Sequence, residues 1–315
     1  MGASDKQPFS EIRAEVEAEL ARHFGQGEAR AAVGLAMRES VLAPAKRLRP
    51  VLTIVAARDL GFRSTAALRA GCAVELVHTA SLLLDDLPCM DDAQTRRGKP
   101  AIHVRFGEDV AILAAIALLS DAYGMAANLP DVSGATSARL VTVLSNAIGM
   151  NGLVAGQYRD LHGAAPLDQA EASSVNDQKT GSLFCTCLDM AATLAGTTPL
   201  AERHLQAYGR EIGRAFQLFD DLLDVDGDAA AMGKDTGRDG KDARLASTLD
   251  RDAMTALIRS HVTAARAALA GLPVRAKGLS ELTDHLFGAE EKRAEPLRGA
   301  KPVPAMALMP SFLAR

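Results

Sequence analysis

Tryptophan is absent from this chain of 315 residues, and aromatic residues make up only 4% of it. Little is left to build the aromatic-rich strands of a sandwich or barrel, and no run alternates β-branched residues between hairpin turns. Cysteine is scarce as well. Cys72, Cys89, Cys185 and Cys187 show no paired CxxC spacing for zinc and lie among apolar neighbours, so they read as reduced core thiols of a cytoplasmic protein. No block of like charge is long enough for a nucleic-acid-binding tail, and the net charge is −4. The opening stretch MGASDKQPFSEIRAEVEAEL is polar and acidic where a signal peptide needs an apolar core. The longest apolar run, VAILAAIALL at 110–119, falls short of the ~20 residues that cross a bilayer, which predicts no membrane span.

What the chain does have is alanine, leucine and a 48% hydrophobic content, ample for a core. Helical spacing of apolar residues recurs at about 10–21, 28–42, 47–59, 65–86, 107–128, 135–156, 168–193, 199–226 and 249–270, separated by loops such as NLPDVSG and GTTPL. The expectation is one all-α domain over 1–288. Beyond it, residues 289–315 carry four prolines and several basic side chains and read as an irregular tail.

Two stretches break the apolar pattern with carboxylates. In SLLLDDLPCMDDAQTRRG, four aspartates fall within eight residues at the end of an apolar helix. On a helical wheel with Asp85 at zero, His78 lies at about 20° and Ser81 at about 320°, so both share its face. Asp91, six residues on, would point about 240° away; Pro88 removes a backbone donor and disturbs the helix there, and a kink could reunite the two. In GRAFQLFDDLLDVDGD, Gly213, Arg214, Gln217, Asp221 and Asp224 fall within about 120° of Asp220, opposite a broad apolar arc.

Either cluster alone is also what a solvated helix face or an acidic cap looks like. Two on otherwise apolar helices point elsewhere, because buried carboxylates are expensive unless paired or metal-bound. Oxygen-only donors favour Mg²⁺ over zinc or copper, and Mg²⁺ on a few carboxylates shares its shell with phosphate. Rival motifs fail. DVDGDAAAMGKD has Ala229 where an EF-hand turn needs glycine and Asp235 where it needs glutamate. GKDTGRDGKD lacks P-loop spacing.

A diphosphate site also needs cations. APAKRLRP supplies Lys46, Arg47 and Arg49; TRRGKP supplies Arg96 and Arg97; NDQKTGSLF supplies Lys179 beside Thr180; MGKDTGRDGK supplies Lys234 and Lys241. Each reads singly as surface charge, but together they interleave with the two acidic stretches.

The order KRLRP, His78, DDLPCMD with RRG, KTGS, FQLFDDLLD and GKD resembles the trans-prenyl diphosphate synthases, most of all the bacterial geranylgeranyl diphosphate synthases of carotenoid biosynthesis, over about residues 40 to 245. The resemblance implies an isoprenoid-synthase helical bundle around a central active-site cavity, a homodimer, and two facing acidic motifs. Carried over position by position, Asp85, Asp91 and Asp220 would bind three Mg²⁺ ions, with Asp86, Asp221 and Asp224 in support. Lys46, Arg49, His78 and Arg97 match positions that hold isopentenyl diphosphate. Arg96, Lys179, Thr180, Gln217 and Lys234 match those that hold the allylic diphosphate. In the family, bulky residues four or five positions before the first motif close the pocket floor. Here Ser81 and Ala80 are small, and the inserted Pro88-Cys89 pair is of the geranylgeranyl type, so the implied product is C20. The chain departs from the family pattern at Ala45, where glycine is usual, and at Asp242-Ala243 after Lys241.

Other readings remain. A class I terpene cyclase shares fold and metal chemistry but leaves Lys46, Arg49, His78 and Arg97 without purpose. A farnesyl diphosphate synthase differs only in pocket depth. A non-catalytic partner subunit predicts lost aspartates, yet both motifs are complete.

Overall fold

The computed structural model describes residues 9–25, 31–162, 178, 181–225 and 251–293; for 223–225 and 289–293 the helical backbone alone is described. The chain runs α1 (Ser10–Gly25), α2 (Ala32–Leu42), α3 (Leu48–Asp59), α4 (Thr65–Asp85), a two-strand hairpin β1 (Thr95–Arg96) and β2 (Lys99–Pro100), α5 (Ile102–Phe106), α6 (Glu108–Ala127), α7 (Gly134–Ile148), α8 (Leu153–His162), α9 (Ser182–Ala195), α10 (Pro199–Val225), α11 (Arg251–Ala270) and α12 (Lys277–Arg293). Apart from the hairpin, the regular elements among the described residues are helices, as the composition predicts.

At the centre lies α4. Ser64 caps its first turn by accepting from the Ala66 N–H at 3.1 Å. Residues from Ala66 to Leu83 are buried on nearly every side, including Ala70, Val74, Leu76, Val77 and Ala80. A helix apolar all round belongs in the interior, and α3, α6 and α9 pack around it. Its charged end is therefore delivered to one rim of the bundle by a rigid core element.

At the opposite end of α3, the Asp59 carboxylate accepts the Gly278 and Leu279 N–H groups at 3.0 and 2.8 Å, satisfying the open N-terminus of α12. Buried Tyr208 of α10 fixes the same helix through the Thr283 hydroxyl at 2.9 Å. Helix α12 runs through Gly288, where the sequence reading sets its domain boundary, and ends at Arg293. The helix expected over 135–156 is two helices, α7 and α8, parted around Gly149–Gly152.

By length and hydropathy three stretches could cross a bilayer, Thr65–Asp85, Glu108–Ala127 and Gly134–His162, where the uninterrupted apolar run suggests none. Alanine, glycine and threonine supply the difference. The α4 window is 67% buried within the bundle, whereas the other two are 39% and 28% buried and leave apolar side chains on the surface.

Candidate active site

Helix α4 ends at Asp85, and Asp86 closes it with its N–H on the Leu82 carbonyl at 3.1 Å. Pro88 interrupts the helical ladder, and the chain turns back on itself. The Asp91 N–H reaches the Asp85 carbonyl at 2.9 Å, the Asp92 N–H the Leu87 carbonyl at 3.1 Å, and the Ala93 N–H the Asp86 carbonyl at 3.2 Å. Asp85 and Asp91, opposed on a straight helix, thus leave from hydrogen-bonded backbone. Asp86 takes another course. It is buried, and its carboxylate accepts the Arg96 Nε at 2.9 Å and a second, shorter bond from the same guanidinium.

That pairing anchors the hairpin. β1 and β2 pair Thr95 with Pro100 and Arg96 with Lys99, across a two-residue turn of Arg97 and Gly98 with φ of 55° and 73°. Left-handed conformations at both turn positions are those of the hairpin turn that suits twisted strands. Gly98 adopts its own freely; Arg97 does so against the ordinary preference of an L-residue, a form of strain held where surrounding contacts require it. The sequence reading sees the two arginines but not the turn that presents them.

From α3 comes Arg49 and from α4 His78. Burial first, then the charges of Arg49, Arg97, Arg96 and Arg47, hold the His78 imidazole well below the usual histidine range, so it is neutral at pH 7. Burial also lowers Arg49 and Arg97, while the Glu75 carboxylate acts on both in the opposite sense. Arg49 stacks over the Phe184 ring at 5.5 Å, and its buried Nε meets no acceptor among the described residues. A donor without a partner in such a place suits an anionic ligand. Lys46 is exposed at the rim of the same loop.

On the facing side, α10 carries the second acidic stretch. Gln217 Nε2 donates to buried Asp221 at 2.9 Å, and half-buried Asp220 acts electrostatically on Arg49. The two sides are joined through aromatic contacts: Arg49 over Phe184, and Phe184 tilted against Phe216 at 5.3 Å between centroids. Helix α10 can approach because Gly213 has no side chain; a Cβ there would lie 3.0 Å from the Gly181 Cα. Lys179, Thr180, Lys234 and the Asp224 side chain lie outside the described residues.

Arg47 does not belong with the open cations. It is 2% exposed and spends its donors on Glu17, Glu75 and two backbone carbonyls. Ser81 is half-buried with its hydroxyl turned back onto the His78 carbonyl at 2.9 Å, while Ala80 is fully enclosed. Glu75 and Gln157 escape the sequence reading. Gln157 of α8 sets its amide on Met90 Sδ at 3.9 Å, beside the first acidic loop, with a buried Oε1 that finds no partner among the described residues. A single glutamate inside CAVELVH was the available signal for Glu75.

No group of three or more Asp, Glu, His or Cys side chains close enough to cage a metal occurs among the described residues. Mg²⁺ does not need one, since it takes one or two carboxylates and completes its shell with water and substrate phosphate. The oxygen donors of Asp85 and Asp91 fit that use.

Residues 31–253 match the Polyprenyl synthetase family. The chain belongs to it. A geranylgeranyl diphosphate synthase of Pseudescherichia vulneris is 43% identical over 268 residues, 84% of this chain and 86% of that protein. One from Pantoea ananas is 46% identical over 75% of this chain and 78% of its own length. Among solved structures, a Helicobacter pylori geranyltransferase complexed with magnesium and isoprenyl diphosphate superposes with a TM-score of 0.79 at 26% identity, covering 93% of this chain and 100% of that one. The family resemblance of the motifs and the all-α prenyltransferase fold are both borne out.

Proposed function

We propose that this protein is a Mg²⁺-dependent prenyltransferase that condenses isopentenyl diphosphate with allylic diphosphates and releases geranylgeranyl diphosphate, C20. One juxtaposition carries the reading: an Asp85–Asp91 turn folded back on itself, with Arg49 and Arg97 acting on neutral His78 and Asp220 within electrostatic reach of Arg49. Relatives named for the C20 product at 43–46% identity support it.

In this reading Asp85, Asp91 and Asp220 hold three Mg²⁺ ions, which supply the Lewis acidity that offsets charge on the leaving diphosphate. Arg96, Lys179, Thr180, Gln217 and Lys234 orient the allylic diphosphate, whose C–O bond breaks. Lys46, Arg49, His78 and Arg97 hold isopentenyl diphosphate, whose double bond forms the new C–C bond. The proton lost from the adduct goes to the departing diphosphate. Neutral His78 donates one hydrogen bond without adding charge, and the guanidiniums supply the rest. Asp86 acts through Arg96, and Asp221 through Gln217.

Product length follows from what lies below Asp85. Ser81, one turn down, satisfies its own hydroxyl and presents little bulk. Chain growth past C15 meets no large side chain from that position.

A homodimer completes the reading. Ile112, Leu113 and Ile116 of α6 and Met150, Val154 and Tyr158 around α8 are large apolar side chains left exposed. A second copy is the partner that covers them. The enzyme would then work in the cytoplasm, feeding carotenoid or related isoprenoid synthesis.

Purified protein incubated with isopentenyl diphosphate and, separately, dimethylallyl, geranyl or farnesyl diphosphate, with Mg²⁺ or with EDTA, tests this by mass spectrometry of the products. A metal-dependent C20 product is expected. A C15 endpoint would keep the reaction and overturn the product length. No condensation by folded protein would overturn the enzyme reading in favour of a partner subunit.

A further inference from the structure

The largest fully buried side chain in the described residues is an arginine. Arg47 sits in the left-handed region (φ 51°, ψ 36°) at the N-cap of α3, where no side chain caps the helix, and its own carbonyl accepts the Val51 N–H at 3.1 Å to start the helical ladder. Its guanidinium reaches three other parts of the chain. Nε donates to Glu17 of α1 at 2.9 Å, Nη1 to Glu75 of α4 at 2.9 Å, and Nη2 to the Val41 and Ala43 carbonyls at 2.6 and 2.9 Å. Burial alone would weaken its charge, and the Glu17 and Glu75 pairs more than restore it.

Lys46 and Arg49 flank this residue on either side. Lys46 ends the loop before α3 and Arg49 lies in its first turn, and the Arg47 guanidinium ties this junction back to the Val41 and Ala43 carbonyls. Glu75, 2% exposed, stands one helical turn before His78 on α4. Its carboxylate acts on both Arg49 and Arg97 against the burial that weakens their charge.

We propose that Arg47 and Glu75 are positioning residues, a buried ion pair that aims Lys46 and Arg49 at the isopentenyl diphosphate subsite and lets Arg49 and Arg97 share it. Neither touches substrate. The proposal rests on the reading of the site given under Proposed function. A buried pair of this kind adds little net stability, but removing one partner strands a charge. The effect therefore falls on the geometry around it and on one substrate rather than both.

The test is steady-state kinetics of the full-length protein, varying each diphosphate in turn, for wild type, Glu75→Gln, Glu75→Asp and Arg47→Lys. For Glu75→Gln the expected result is a KM for isopentenyl diphosphate raised about tenfold or more, with the allylic KM within about twofold of wild type. Glu75→Asp, which keeps the charge, recovers part of the loss. If Glu75→Gln does not fold, as judged by circular dichroism, Glu17→Gln removes the half-exposed leg of the same fork and should shift the same KM by a smaller factor. Folded variants whose two KM values move together, or not at all, overturn the proposal. An active wild type with unsplit KM values overturns it alone, whereas an inactive wild type overturns the functional reading with it.

Discussion

Asp85 and Asp91 reach one another only because Pro88 ends the helix between them, and a wheel drawn through the whole motif puts them on different faces. The backbone bond from Asp91 to Asp85 is what makes a two-carboxylate lip from a linear DDLPCMD. Replacing Asp85 with Asn keeps the shape and removes the charge, so kcat should fall about 10²–10³-fold with little change in melting temperature, read by product assay and thermal scan. His78 offers a test by pH. Its folded pKa is depressed, first by burial and then by the four arginines, relative to ~6.5 in an unfolded chain. As pH falls below ~6.5 the unfolded state takes up a proton that the folded state refuses, so stability is present above that value and is lost on acidification, by up to ~1.4 kcal/mol per pH unit. Urea titrations at pH 7.5 and 5.5 should show a smaller loss in His78→Asn than in wild type. Residue types made the aspartates and most of the arginines legible in advance. Arg47 carries no distinguishing mark, because a basic side chain in a basic string looks like its neighbours until burial is known.

Helices with a one-sided apolar stripe, such as α10 and α11, announce themselves by period, and their bounds fall close to expectation. Shorter or more polar pieces do not. The five residues of α5 and the two-residue strands are too brief to show a period, and α12 mixes charged and apolar positions because it lies on the outside of the bundle, tied down by Asp59 and Tyr208. Where elements meet, the sequence says least. Nothing in GREIGRAF marks Gly213 as the point where α10 touches the start of α9. Gly213→Ala forces the Gly181 backbone to move and should cost about 1–3 kcal/mol by overpacking. Because Lys179 and Thr180 immediately precede Gly181, the allylic KM should rise several-fold while that for isopentenyl diphosphate stays near wild type.

For the whole molecule, apolar surface left outside the bundle is a statement about assembly. Ile116 is 57% exposed in the middle of α6. If a second copy covers it, Ile116→Asp should halve the mass seen by light scattering after size-exclusion chromatography and leave the helical content intact. The bundle itself could be read from composition, but which faces it leaves uncovered depends on how helices pack, and that is settled only in three dimensions. The alternation of helix direction also sorts charge before any side chain is counted. Helix α3 begins alongside the middle of α4, where Pro50 meets Gly71 and Arg47 meets Glu75, so its partial positive pole lies within the bundle while the partial negative pole of α4 lies further on at Asp85, about half a charge each. Asp85 lies at the negative pole and Arg49 at the positive one, each beside backbone of its own sign. Each helix end thus favours a ligand of the sign opposite to its side chain: cations at the end of α4, anions at the start of α3. Folding and occupancy are coupled in this enzyme, and inorganic pyrophosphate at about 100 times its Kd should stabilise the protein by ~2.7 kcal/mol, visible as a rise in Tm.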